Sequence, residues 1–344
     1  MSEFTPFPDL SPAALWKQEI AASITHVDLL AKRFGIDPAQ LFPVISDFPL
    51  RISPYYLSLI RYPGDPLWLQ AVPDPLEMAD AHGMADPLSE EASSPAPGLI
   101  HRYPDRAVLL VSSDCALFCR FCMRKRRAGT PITPASIDAG MDYIRRTPAI
   151  HEVVLSGGDP LMLDDAPLFE ILQKLRAISH VGLLRIHSRM PCTLPHRITD
   201  DLVRILREMQ PLYLNTHFNH PDEITPHSRE ACTRLADAGI PLGNQSVLLK
   251  GVNDSPEILH QLMEMLLVLR IRPYYLHQLD RVSGTAHFRV PLEKGIAIMR
   301  HLRGRLSGMG VPHYMVDIPG GGGKIPLTPD YVVEKHADDW VLKN

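Results

Sequence analysis

The sequence predicts an α/β protein: a parallel (β/α) barrel, partial or complete, with an N-terminal helical cap. Three observations predict it. Short aliphatic or β-branched runs recur from Arg106 onward, and the five that begin at 152, 182, 212, 242 and 272 are 30 residues apart. Amphipathic, helix-favouring segments fill the gaps, and one strand plus one helix in about 30 residues is the βαβ repeat, whose right-handed crossovers force a parallel sheet. Polar residues close the runs, and in a barrel such strand ends converge on one mouth, whereas an open sheet gathers them only at its switch point.

In chain order, residues from about 11 to 60 read as helical, with apolar positions at helical spacing in AALWKQEIAASITHVDLLAKRF before a Gly-Ile-Asp-Pro break. From Ala79 to Gly98 the chain is rich in Pro, Ser and acidic residues and reads as a linker or surface loop. Residues 1–99 are therefore expected to form the helical region and linker, and 100–344 the barrel. The first strand is expected at Arg106 (RAVLLVSS), followed by Glu152 (EVVLSGGD), Gly182 (GLLRIHSR), Leu212 (LYLNTHFN), Leu242 (LGNQSVLL), Arg272 (RPYYLHQL) and His313 (HYMVDIPG). Ser156 to Asp159, His187 to Arg189, Thr216, His217, Asn219 and Asp280 lie at the ends of these runs. Helices such as DDAPLFEILQKLRAIS and SPEILHQLMEMLLVLR lie between them.

A chain of 344 residues with 45% hydrophobic and 22% charged residues and a formal charge of -4 is globular. That composition excludes disorder and a nucleic-acid binder driven by overall basicity. The N-terminus, MSEFTPFPDLSPAALWKQEI, has no basic segment followed by an apolar core, and no run of eighteen uncharged apolar residues occurs. A cytoplasmic protein without a membrane partner is expected. Five cysteines, three of them clustered, suit a reducing compartment where thiols serve as ligands, while Cys192 and Cys232 read as buried structural thiols.

The clustered thiols are Cys115, Cys119 and Cys122, spaced C-x3-C-x2-C in DCALFCRFCMRKRR. A structural zinc site wants four ligands in paired elements. A cubane iron–sulfur cluster on three thiolates instead leaves one iron to bind a chelating small molecule. The loop follows a strand at the barrel mouth and carries Phe121 immediately before its last cysteine, a combination that resembles the signature of radical S-adenosylmethionine (SAM) enzymes. Gly157, Gly158 and Asp159 of GGDP end the second parallel run, where exposed backbone could meet the amino group of SAM, although glycine pairs are also common turns.

A second unusual stretch is DIPGGGGKIPLTP, from Asp317 to Pro329. It lacks the G-x4-G-K-[ST] spacing of a phosphate-binding loop, and Ile325 stands where a magnesium-binding hydroxyl would be needed. Flexible glycines would let Lys324 reach inward as a Schiff-base former for pyridoxal phosphate (PLP); the alternative is a mobile surface lysine. Taken with the cysteine loop, the chain resembles the lysine 2,3-aminomutase family, which combines SAM, a 4Fe–4S cluster and PLP. The resemblance runs from about His101 to Lys343 through HRYPDRAVLLVSSDC, SGGDPLML, RIHSR, NTHFNHPDEIT, LGNQSVLLKGVND, YYLHQLDRVSGTAHF and PGGGGKIPLTPDYV.

The resemblance implies an isomerase that exchanges the α-amino group of L-lysine with a β-hydrogen, giving β-lysine, through a 5′-deoxyadenosyl radical and an amine joined to PLP. It implies cluster binding by Cys115, Cys119 and Cys122, and PLP attachment at Lys324. It places Arg124 on the substrate carboxylate, for which a guanidinium fork is suited, and Asp280 and Asp317 on the ε-ammonium. Two empty carboxylates would repel each other and invite that cation. Arg102, Tyr103 and Arg106 match the PLP pocket, and His217 and Gln245 look like SAM contacts. Read without the family, Arg124 belongs to a solvated basic run and either aspartate could be a strand-end cap. A relative acting on glutamate should carry neutral or basic groups in place of the aspartates.

Also implied are an external one-electron reductant of flavodoxin or ferredoxin type and a homo-oligomer. Longer members carry zinc-binding cysteines in a C-terminal extension; no cysteine follows Cys232, so no zinc site is expected. Four alternatives stay open: β-lysine supply for elongation factor P modification, a family member acting on another amino acid, a non-catalytic iron–sulfur sensor, and a radical SAM enzyme without PLP.

Overall fold

The computed structural model describes residues 11–335 and 340–342. Nine strands form one sheet in simple chain order: β1 (Leu99–Tyr103), β2 (Arg106–Ser112), β3 (Glu152–Gly157), β4 (Leu183–His187), β5 (Leu212–Thr216), β6 (Leu242–Leu248), β7 (Ile271–Gln278), β8 (His313–Ile318) and β9 (Gly323–Pro326). Strands β2 to β8 are parallel, and β1 and β9 add antiparallel at the two edges. The seven parallel strands are those the sequence predicts, each starting within one residue of its expected position. The edge strands were not expected, so the first strand begins at Leu99 rather than Arg106.

Six helices, Pro134–Arg145, Asp165–Arg176, Asp200–Glu208, Pro226–Asp237, Pro256–Val268 and Leu292–Leu302, connect successive parallel strands. Thr133, Thr199, Thr225 and Ser255 start four of them by accepting a backbone N–H on the side-chain oxygen, and three of these starts carry Pro directly after the cap. Their inner faces, such as Leu168, Ile171, Leu172 and Leu175, recur at helical spacing and are buried. The sheet curls until its edges meet, where the Lys324 backbone N–H donates to the Tyr103 hydroxyl at 3.1 Å. The result is a nearly closed barrel.

The N-terminal region forms five short helices, Pro12–Ala21, Val27–Phe34, Phe42–Asp47, Pro54–Leu59 and Pro66–Ala71. The expected helical run breaks after Ala21, and Ile24 forms a bridge with Ile52. Trp16, Leu30, Tyr55 and Tyr56 share one hydrophobic core with Leu155, Ile186 and Leu214 of the barrel, so the core crosses the boundary expected at 99/100. This cap also grips the cysteine loop by its backbone: Ser53 N–H donates to Ala116 O at 3.0 Å, Phe118 N–H to Arg51 O at 3.0 Å, and Arg120 N–H to Gln70 O at 2.9 Å.

The segment 79–98 has little regular structure, as expected, yet it is not a free linker. Leu88 and Glu90 are buried. Met84 exchanges backbone hydrogen bonds with Arg281 and Ser283, at 2.8 and 3.1 Å, and Pro87 O accepts from Gly320 N–H at 2.9 Å. The segment is a strap that ties the loop after β7 to the glycine turn after β8. A hairpin of β10 (Val332–Lys335) and β11 (Trp340–Leu342) follows β9. Among the described residues no helix is long and apolar enough to cross a membrane.

Candidate active site

Cys115, Cys119 and Cys122 sit in the loop after β2 and are free thiols. With Arg124, Gly157 and Gly158 they line a hollow of about 520 Å³, part of it open to solvent. Burial pushes the Cys115 thiol well above its ordinary range, with Asp159 and the other two cysteines adding to it; burial and Cys119 push Cys122 up. Three thiolates crowded in this way call for a positive centre between them. Arg189 supplies part of the balance, donating from Nη1 to Cys119 Sγ at 2.8 Å while Nη2 donates to Gln70 Oε1 and Glu223 Oε1, both at 2.7 Å. Among the described residues no three His, Cys, Asp or Glu side chains converge on a single ion. Three thiols around a hollow are the donor set of a cluster with one iron left free. Cys192 and Cys232 are buried in the core, as expected.

The GGDP turn is built for close approach. Gly157 has φ +130°, and a Cβ there would stand 2.1 Å from Ser112 O; at Gly158 it would stand 2.4 Å from Asp114 O. Only glycine lets the end of β3 pass so near the base of the cysteine loop. The Asp159 carboxylate turns inward, accepting from Leu161 N–H at 3.0 Å, Ser188 Oγ–H at 2.8 Å and Arg189 N–H at 2.7 Å. It braces two strand ends, which leaves the backbone of Gly157 and Gly158 as the part of the turn that faces the hollow.

Inside the barrel, His217 follows β5 with Nε2 3.0 Å from Asn219 Oδ1 and its ring 5.6 Å from that of Phe121. Burial and Arg189 push it down to about 3, so it is neutral. Gln245 of β6 lies between two histidines, its amide nitrogen 3.0 Å from His187 Nδ1 and its oxygen 3.4 Å from His277 Nε2. Burial, together with Arg185 for His187 and Lys324 for His277, holds both imidazoles well below their ordinary range. This polar interior therefore carries little charge of its own.

The glycine run is a defined reversal rather than a flexible tether. Gly320, Gly321 and Gly323 have φ of +74°, +88° and +87°, a left-handed turn that places Lys324 of β9 opposite Asp317 of β8. Lys324 Nζ lies 2.5 Å from Asp317 Oδ2. Asp280, just after β7, is pushed up to about 7 by burial and by Asp317, with Lys324 pulling the other way. The two aspartates are thus not a bare repelling pair: one is salt-bridged and the other is half-protonated at neutrality. At the seam, Arg106 stacks on the Tyr103 ring at 4.1 Å and pairs with Asp105, while Arg102 donates to Leu88 O of the strap.

Arg124 is not part of a solvated run. Its guanidinium pairs with Glu90 of the strap at 2.7 Å and donates from Nη1 to Ser156 Oγ at 3.0 Å. Its neighbours are also engaged, Lys125 with Glu77 at 2.6 Å and Arg126 with Asp86 at 3.0 Å. Glu90, Ser156, His187, Arg189 and His277 also face these groups and are not among the site residues expected from the sequence. Ser156, His187 and Arg189 carried a signal as polar strand ends, whereas Glu90 was hidden in loop-like composition.

A strand-first barrel with a three-thiol loop at its mouth defines a radical SAM enzyme, and the profile described as the Radical SAM superfamily matches residues 109–263. A profile described as Lysine-2,3-aminomutase matches residues 299–344. The chain is 46% identical over 349 residues to an L-lysine 2,3-aminomutase of Clostridium subterminale, covering 98% of this chain and 84% of that one. It is 46% identical over 338 residues to that of Bacillus subtilis (96% and 72% covered), and 42% over 336 residues to a glutamate 2,3-aminomutase of Clostridioides difficile (95% and 80%). The chain belongs to the lysine 2,3-aminomutase family.

Proposed function

We propose that the protein is an isomerase that interconverts L-lysine and β-lysine, using a 4Fe–4S cluster, SAM and PLP. The observation that carries the choice of lysine is the pairing of Asp280 and Asp317 beside Lys324 at the same barrel mouth as the Arg124 fork. A γ-carboxylate set against those two aspartates would meet like charge. When bound, the cluster and SAM supply a carbon radical that takes and returns the β-hydrogen, and PLP supplies the carbonyl that carries the migrating amine.

The chain's own residues do the rest. Cys115, Cys119 and Cys122 hold the cluster, and Arg189 donates a hydrogen bond to Cys119 Sγ. Backbone of Gly157 and Gly158, with His217 and Gln245, faces SAM. Lys324 binds PLP, and Asp317 Oδ2 at 2.5 Å is positioned to take the proton its amine must lose. Arg102, Tyr103 and Arg106 line the PLP pocket at the seam. Arg124 orients the substrate carboxylate; Asp280 gives up its proton as the ε-ammonium arrives. The electron comes from an external carrier of flavodoxin or ferredoxin type, and a reducing cytoplasm suits five free thiols.

Anaerobic reconstitution with iron, sulfide, PLP, SAM and reductant should convert L-lysine to β-lysine and leave L-glutamate untouched, read by amino-acid chromatography. Turnover of glutamate in place of lysine would discard the substrate and keep the chemistry. If Lys324→Ala bound PLP with an unchanged absorption spectrum, the lysine assignment would fail.

A further inference from the structure

We propose that Glu90 is a positioning residue: from the strap it holds one edge of the Arg124 guanidinium, so that the opposite edge is aimed at the substrate carboxylate. This rests on the reading of Arg124 as the carboxylate-binding group.

The count of donors carries the argument. A guanidinium has five N–H groups in a rigid plane. Glu90 takes the Nε side: Nε donates at 3.0 and 3.1 Å to its two carboxylate oxygens, and Nη2 donates to Oε1 at 2.7 Å. Nη1 donates to Ser156 Oγ at 3.0 Å, and its contact with Gly157 O at 3.5 Å is at the limit of a hydrogen bond. One Nη2 N–H has no partner among the described residues and Nη1 is held only by the neutral Ser156 hydroxyl and Gly157 carbonyl, so the Nη1–Nη2 edge is the outer fork on which a carboxylate can replace neutral acceptors with two parallel bonds. Glu90 therefore does not compete for the substrate's place. It occupies the other edge.

Glu90 is suited to this by its setting. It is 4% exposed, and Arg124 and Arg126 hold its carboxyl below the usual range against the opposing effect of burial. Arg126 has other partners, Asp86 at 3.0 Å and Glu91 at 3.2 Å, but among the described residues Arg124 has no ion-pair partner besides Glu90. Removing the Glu90 charge leaves a buried cation free to turn. The strap that carries Glu90 is also bonded to Arg281 and Ser283, next to Asp280, and to Gly320 before Lys324. One segment thus holds the Arg124 fork in register with the groups proposed for the far end of the substrate.

The test is equilibrium binding to the reconstituted enzyme without reductant, comparing L-lysine with 1,5-diaminopentane, which has the same two amines and no carboxylate. Glu90→Gln should weaken L-lysine by roughly ten- to a hundredfold, the scale of a bidentate charge-assisted contact, and leave the diamine within about twofold. Glu90→Asp, which keeps the charge but shortens the reach, should show a smaller loss for L-lysine alone and serves if Glu90→Gln does not fold. Unchanged L-lysine binding, equal loss of both ligands, or tighter L-lysine binding would each overturn the proposal. Arg124→Met separates the two readings: if it weakens L-lysine while Glu90→Gln does not, Arg124 stands and Glu90 falls; if Arg124→Met leaves L-lysine unchanged, both fall.

Discussion

A carboxyl that is half-protonated near neutrality makes a pH-dependent seat for an ammonium ion, and Asp280, pushed up to about 7, is such a carboxyl. The bound cation favours the ionised form, so below pH 7 lysine must displace a proton and above it need not. Affinity for L-lysine should therefore rise as pH goes from 6 to 8, by up to about tenfold per unit below the pKa. Asp280→Asn should remove this component of the pH dependence and bind lysine weakly at every pH, which calorimetry at several pH values checks. The same substitution should raise the melting temperature of ligand-free protein at pH 8. The folded pKa is raised, so the fold binds the proton more tightly and loses stability as pH climbs through 7; asparagine mimics the protonated form. Cys115, Cys119, Cys122, Lys324, Asp280 and Asp317 were all legible in the sequence as candidates, because each lies in an unusual motif or at a strand end. Glu90 was not: its partner Arg124 is 34 residues away, and nothing local marks it.

At the level of single elements, the seven parallel strands were readable because each needs an aliphatic run and a helix to return, which imposes a countable repeat. β1 and β9 escaped because an edge strand needs neither. β1 turns back through Pro104 and Asp105, and β9 emerges from glycines that read as flexible. The glycine turn and the GGDP turn fail differently when substituted. Gly321→Ala meets no atom closer than 3.8 Å but keeps φ +88°, so it should cost about 1–2 kcal/mol of stability through backbone strain alone. Gly157→Ala would place its Cβ 2.1 Å from Ser112 O and must push β3 away from the cysteine loop. Its expected effect is a larger fall in melting temperature together with a reduced iron-to-protein ratio after reconstitution. An unchanged iron content would show that the turn does not shape the cluster's seat.

For the molecule as a whole, the cap, the strap and the barrel form a single mechanical unit around the mouth. The cap holds the cysteine loop from outside by its backbone, and one core runs through both. Ser53 illustrates the arrangement, since its hydroxyl donates to Thr193 O at 2.7 Å while its N–H holds Ala116. Deleting residues 1–60 should therefore abolish cluster retention even where a folded barrel remains, measured by iron content and circular dichroism. Among the described residues no ladder of backbone pairing joins β1 to β9, and the Tyr103 hydroxyl meets Lys324 N–H across the gap. A cask with one stave line left unglued swells and parts along that line first. Deuterium should enter the backbone amides bordering this gap sooner than those of β3 to β6, and PLP bound in the pocket proposed at the seam should act as the hoop that slows the uptake.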